Sequence, residues 1–426
     1  VNTVEQLIGG LRDVCAGLPD QRKGPAREGD YTMADIGLSA FSIFFMGSPS
    51  FLGHQRVLAG RHGRSNCQTL FGMLKIPSDN YIRMMLDGAT PAAFNGLFIK
   101  AIEAAGPLTP FQCLGGRALI ALDGTEHFCS RKIKCAQCST RRRADGGTEY
   151  FHTFLGASLV APGHTKVLPL PPEFIAPQDG AEKQDCERNA AKRWLATHGA
   201  TVAHLRPIYL GDDLFACHPI ATAIKDAGGS FILTCKPSSH QTIEEYLHGA
   251  ELQEHRVVTV KRGKRTTTIY RWLDTVPLRA SEDSINVNWF SIEILNASGK
   301  RTYYNSFVTD LDITPATVAE LAACGRARWK LENETFNVLK NNGYNLEHNF
   351  GHGKKTLASV LVTLNLLAFA FHTAAYLGIV AWRAAVAALG PTYRFFEHLR
   401  TITVYVVFKD WAHLLHSMAE EAIRPP

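Results

Sequence analysis

The run Arg117–Asp123, RALIALD, constrains this chain more than any other stretch. Apolar residues from Ala118 to Leu122 end in a carboxylate and continue directly into Gly124-Thr125-Glu126. A short continuous apolar run bounded by turn residues reads as a buried strand. Two later carboxylates stand in comparable settings. Asp212 closes RPIYLGD, and Glu332 lies in the helical stretch RARWKLENETFNVLK. Together the three read as one metal-binding site, which the rest of the chain assembles.

The remaining composition sets outer bounds. A chain of 426 residues, 46% hydrophobic and 20% charged, has room for two or three domains and a large core without covalent staples. A formal charge of +6 permits a nucleic-acid partner without demanding one. The ten cysteines show no regular framework and read as reduced thiols of a cytoplasmic protein. The first residues, VNTVEQLIGGLRDV, carry acids and do not resemble a secretory signal. Residues 357–382 have the length and apolarity of a membrane span. Thr363, Asn365, His372 and Thr373 interrupt them, so the segment reads as a buried core helix, with no membrane partner.

Along the chain, residues 1–105 read as a helical N-terminal region, either DNA-binding or a layer packed on the next domain. Residues 106–236 give three strands, helix, strand, helix, strand, with a helix over 181–199 and a Pro-Gly-His hairpin turn at 162–164. That order argues an α/β mixed sheet with flanking helices. Residues 237–311 form a β-rich insertion whose two hairpins turn at Arg-Gly-Lys and Ser-Gly-Lys. Thr314-Pro315 opens a long helix to about Asn342, within a second core part at 312–350. Residues 351–426 are a helical C-terminal region.

Transfer at a phosphodiester needs charge neutralised at both the attacking and the leaving oxygen, and two divalent ions do this. Mg²⁺ takes oxygen ligands, typically a few carboxylates with waters and phosphate. Strand ends in such sheets are where ligands bind. Each acid also has a bland role: a strand-end Asp is often a turn residue, Asp212 is doubled by Asp213, and Glu334 stands beside Glu332. Arg328 and Glu332 are four apart and share a helix face, whereas Arg328 and Glu334 do not, which favours Glu332.

The patterns ALIALDGTE, YLGDDLF and RWKLENETFNVLKNNGYNLEHNFGHGKK resemble the bacterial insertion-sequence transposases of the DDE class. The closer resemblance is to the cut-and-paste branch with a β-strand insertion before its catalytic Glu, and it covers roughly residues 115–355. It implies a ribonuclease-H-like fold interrupted by that insertion. It also implies catalysis by Asp123, Asp212 and Glu332 holding two Mg²⁺ ions (or Mn²⁺), with Arg328 four positions before the Glu. The implied activity is metal-dependent cleavage at element ends and strand transfer into target DNA. The implied partner is double-stranded DNA, bound by a homodimer on paired ends. A catalytically inactive DNA-binding protein of the same fold is the alternative. The chain departs from the family pattern at Gly325, where the family has Tyr, and at Leu339, where it has Lys; Lys340 follows one place on. Trp272 and Trp289 in the insertion either stack on a displaced base or pack between hairpins.

Other clusters remain. Cys135 and Cys138 form a CxxC near Cys129 and His152, a set able to close a structural zinc site or to remain reduced thiols. His348 and His352 sit in LEHNFGHG, where the glycines argue a structural turn. Arg141, Arg142 and Arg143 after Asp123, and Lys261 and Arg262 at a hairpin tip, are candidate phosphate contacts with Arg328 and Lys340.

Overall fold

The computed structural model describes residues 3–24, 27, 29–177 and 185–423. The expected helix over 181–199 therefore falls partly outside the described residues. The backbone of the protein is a twelve-stranded mixed sheet. Its strands are β1 (Gln112–Cys113), β2 (Arg117–Ser130), β3 (Ser139–Arg142), β4 (Thr148–Val160), β5 (Leu168–Pro169), β6 (Glu173–Ile175), β7 (Ile208–Gly211), β8 (Ser230–Thr234), β9 (Gln253–Lys261), β10 (Lys264–Pro277), β11 (Asn286–Leu295) and β12 (Arg301–Thr309). The main order is β3-β4-β2-β7-β8-β12-β11-β10-β9.

β2 is the central organising strand. Ala118 to Leu122 are buried, as continuous apolarity demands of a strand covered on both faces. It pairs antiparallel with β4 on one side and parallel with β7 on the other, and β7 pairs parallel with β8. β2 does not stop at Asp123, where the apolar run ends. It continues to Ser130 because β4 is nearly as long and keeps pairing with it. The polar stretch expected as a loop after it includes β3, which pairs Ser139 with Phe151.

The insertion is a β9–β12 meander, and it is continuous with the core. β12 pairs antiparallel with β8 through Phe307↔Thr234 to Thr309↔Ile232. The tip between β9 and β10 is a two-residue turn with Arg262 at φ 50° and Gly263 at φ 77°, the left-handed pair a tight hairpin requires. Trp272 and Trp289 are 1% and 3% exposed, so they pack within the sheet layers and present no face to a base.

The helices follow in chain order. At the N-terminus lie α1 (Thr3–Ala16), α2 (Met33–Phe45), α3 (Phe51–Ala59), α4 (Arg61–Asn66), α5 (Asp79–Leu86) and α6 (Asn95–Ala104). Ser78 caps α5 by accepting from the Tyr81 N–H at 3.3 Å, as its Ser-Asp start predicts. The core carries α7 (Glu187–Val202), α8 (His218–Asp226), α9 (Gln241–Leu247), α10 (Val318–Arg326), α11 (Trp329–Leu331) and α12 (Asn337–Asn341). The expected long helix from Thr314 is thus broken into pieces. A π-helical turn, Glu332–Phe336, lies between α11 and α12.

The tail is α13 (Leu357–Gly378), α14 (Val380–Leu389), α15 (Thr392–Tyr405) and α16 (Trp411–Ile423). α13 is apolar all round and is buried inside the protein, packed on α2 and α6. Its polar groups find partners within the protein on one side only: Asn365 donates to the Tyr344 carbonyl at 2.9 Å and His372 Nδ1 meets the Tyr344 hydroxyl at 2.6 Å, while Asn365 Oδ1 and His372 Nε2 are buried without a hydrogen-bond partner among the described residues. The two ends of the chain therefore share one helical core. Asn66 donates to the carbonyls of Thr403 and Val406, and the Trp411 indole donates to the Leu70 carbonyl.

Candidate carboxylate site and a Cys/His cluster

The sheet register places two of the acids side by side. Ala121 of β2 is level with Leu210 of β7 in a parallel pair. Two residues further on each strand stand Asp123 and Asp212, at the carboxyl end of β7. The third acid arrives by helix packing. Leu331, Thr335, Phe336 and Leu339 form the buried face of the α11–α12 segment, while Glu332 is exposed at the start of the π turn. Phe336 seats over Gly156, where a side chain would collide with the ring. Gly156 is the direct β4 partner of Asp123. Burying such a ring is worth about 2–3 kcal/mol, so the helix is anchored beside the acid it must approach. Lys330 adds a second anchor, donating to the His164 carbonyl at 2.7 Å.

The electrostatics record the gathering. Burial pushes the Asp123 carboxyl up to about 6; the charges of Asp212 and Glu332 add to this, while Arg328 and the Gly124 N–H oppose it. Arg328 donates to Asp123 Oδ2 at 2.8 Å, so it acts as counter-ion within the cluster. Asp212 also caps its own turn, accepting the Leu214 N–H at 2.9 Å. The neighbouring acids are engaged elsewhere. Asp213 accepts from the Lys236 N–H and meets His240 Nε2. Glu334 lines a separate cleft with Lys166 and Tyr344.

A fourth acid, Glu187, is absent from the sequence reading. It opens α7 and lies over Gly124, where any side chain would strike its carboxylate. Burial, then Asp123 and Asp212, raise its pKa. Arg193 steadies that end of α7 by bonding Asp185 and Glu173. In the sequence, only its place as the first acid of a helix marks it.

The candidate DNA contacts divide. Arg141 is held by Glu149 at 2.5 Å and Glu126 at 2.8 Å, and Arg143 by Glu149 at 2.6 Å. Arg142, between them, is exposed. Lys261 and Arg262 are exposed at the hairpin tip. Arg328 faces Asp123, and Lys340 pairs with Glu347 at 2.9 Å. The two positions where the chain departs from the pattern it resembles have structural reasons. At Gly325 any side chain would press on Phe307 and Ile232, and Leu339 is fully buried, which bars a lysine there.

A second cluster lies further along the same β2–β4 hairpin. Cys135, Cys138, His152 and His352 place one donor atom each within 4.8 Å of one another. Among the described residues this is the one group of three or more His, Cys, Asp or Glu whose donor atoms lie that close together; the acids around Asp123 are not drawn in to that spacing. Cys129 is not part of it. His152 pairs across the sheet with Phe128, so Cys129 points to the other face, where it is exposed and Arg141 donates to its sulfur at 3.5 Å. His352 takes the place expected for Cys129. The glycine-rich turn around it forms as expected, and it also delivers a ligand. No family model matches this chain, and no curated protein matches it.

Proposed function

We propose that this protein is a DNA transposase of the DDE type, acting by metal-dependent phosphodiester cleavage and strand transfer. One observation carries the reading. Two acids from separate parts of the chain, Asp212 and Glu332, press their charge on a single buried carboxyl, that of Asp123, at the carboxyl end of a parallel strand pair. Repulsion of that kind is costly unless a cation offsets it. Arg328 offers a single positive charge to the group. The donors are hard oxygens, which suit Mg²⁺ or Mn²⁺.

Asp123, Asp212 and Glu332 would hold the ions, with Glu187 close behind. Bound there, two divalent ions supply charge at the attacking and leaving oxygens of the phosphodiester. The chain's own part is positional. Asp123 and Asp212 are fixed by sheet register, Glu332 is fixed by the seat of Phe336 on Gly156, and Arg328 orients Asp123. The π turn beginning at Glu332 is a local distortion of the kind that often marks functional helices. A ribonuclease-H-like core is supported by the order β4-β2-β7-β8, in which a hairpin precedes two parallel strands on the far side of β2. Double-stranded DNA is the partner this implies, with Arg142 and the Lys261–Arg262 tip as exposed positive groups for its backbone.

The test is Asp123→Ala with a DNA duplex carrying the element's end and Mg²⁺. Cleavage should fall by about 10³-fold, since metal-borne charge stabilisation is worth several kcal/mol, while DNA binding is retained. Undiminished cleavage would remove Asp123 from the site and with it this reading.

A further inference from the structure

We propose that Cys135, Cys138, His152 and His352 bind one Zn²⁺ ion, and that this ion fastens the two halves of the split core together. The argument begins with distances. A tetrahedral zinc about 2.3 Å from sulfur and about 2.0–2.1 Å from nitrogen sets ligand separations of roughly 3.8 Å for S–S, roughly 3.6 Å for S–N and roughly 3.3 Å for N–N. In the protein Cys135 Sγ and Cys138 Sγ are 3.8 Å apart. His152 Nε2 stands 3.5 Å from Cys135 Sγ and 3.4 Å from Cys138 Sγ. His352 Nε2 stands 3.5 Å from Cys138 Sγ and 3.1 Å from His152 Nε2. These five edges match the tetrahedron for the donor types at their ends. The sulfur separation is far beyond a disulfide bond of about 2.05 Å.

The surroundings agree. His352 Nδ1 donates to the Gly353 carbonyl at 3.0 Å, which leaves its Nε2 lone pair facing the cluster. An outer hydrogen bond of this kind is how ligating histidines are held. His152 and His352 are buried, and the His352 ring packs on Phe128. Two thiolates and two imidazoles in a tetrahedral array select zinc over Mg²⁺.

The position of the ligands gives the ion a role. Cys135 and Cys138 belong to the β2–β3 connection and His152 to β4, the hairpin that carries Asp123. His352 follows the α11–α12 segment that carries Glu332, 200 residues beyond His152. The same loop is tied on its other side to the N-terminal helices. Asp87 accepts the N–H groups of Lys354, Lys355, Thr356 and Leu357, and Arg83 donates to the Phe350 carbonyl. The ion thus closes a loop from sheet to helix and locks the helix's exit at a fixed distance from the strand. This does not rest on the transposase reading.

Metal content of the purified full chain tests the site. About one zinc per chain is expected, falling at least tenfold in Cys135→Ser/Cys138→Ser and unchanged in His348→Ala, which alters an exposed neighbour in the same loop. Should the double variant fail to fold, Co²⁺ added to the chelated wild-type chain reads the site directly. Strong visible bands of a tetrahedral thiolate complex support it; the weak bands of a six-coordinate ion overturn it. A Cys135–Cys138 disulfide in the isolated protein, or iron or nickel in place of zinc, also overturns it. For the fastening role, chelation should speed amide exchange in 329–356 and β3 at least tenfold and leave α1 unchanged. Uniform acceleration, or none, overturns that role.

Discussion

The acids around Asp123 and the Cys/His group around His352 lie along one β2–β4 hairpin, yet they are built on opposite principles. Asp123 pairs with Gly156 and Phe128 pairs with His152 on the same two strands. At the first position the donors are hard oxygens, widely spaced and mutually repelling, with an arginine among them. At the second they are soft sulfur and nitrogen, buried, and within 4.8 Å of each other. A site that must admit substrate and release product keeps open coordination; one that only holds structure closes completely. The contrast shows how one hairpin supports both. Its inner half presents acids where β7 ends, and its outer half extends past the end of β7, flanked by β3, to receive a ligand from a distant loop.

The largest effect should separate the two glutamates of the helix. Glu332→Gln should cut Mg²⁺-dependent cleavage by about 10³-fold, whereas Glu334→Gln, in the other cleft, should change it less than about threefold. Zinc content should be the same in both. Equal losses in the two variants would break the assignment of Glu332 to the open site.

Next comes the stability of the open site against pH. The Asp123 pKa is raised from 3.8 to about 6. A carboxyl so raised favours the folded state below its unfolded pKa, and that contribution is lost as pH rises through the folded value. At about 1.4 kcal/mol per unit, Asp123→Asn should gain about 2–3 kcal/mol relative to wild type between pH 4 and pH 7 in metal-free buffer. Added Mg²⁺ should raise the wild-type melting temperature at pH 8 and not at pH 4. A pH-independent difference between the two proteins in denaturant titrations would contradict the repulsion.

The smallest effect concerns the arginines of β3. Arg142→Ala should lower the salt-dependence slope of DNA binding by about one, the share of a single phosphate contact. Arg141→Ala, whose guanidinium already serves Glu149 and Glu126, should change it by less. A larger change from Arg141 would mean that DNA displaces those acids.

Much of the core was legible before any coordinates. Continuous apolarity marked β2 as a buried strand, and Ser78 marked the start of α5. The spacing of Arg328 and Glu332 put both on one helix face, and Arg328 bonds Asp123 there. What misled was local reading of polar stretches. The segment after Ser130 is basic and carries cysteines, yet β3 forms there because β4 offers a long unpaired edge. For Trp272 and Trp289 the sequence leaves base stacking and packing between hairpins open, and their burial in the meander decides for packing. Cys129 was chosen for the metal by proximity in sequence, and strand alternation turns it away.

The sequence by itself determined the periodic elements: the apolar strands, the capped helices, the hairpin turns and the wholly apolar α13. These follow from near-neighbour chemistry, in which burial and turn propensity act within a few residues. Only the tertiary structure decided which acids meet Asp123, that Glu187 lies over Gly124, and that His352 completes a set begun at Cys135. Those choices depend on strand register and on helices seated by single contacts such as Phe336 on Gly156. Some of the partners so selected lie more than two hundred residues apart, and no local pattern encodes the pairing.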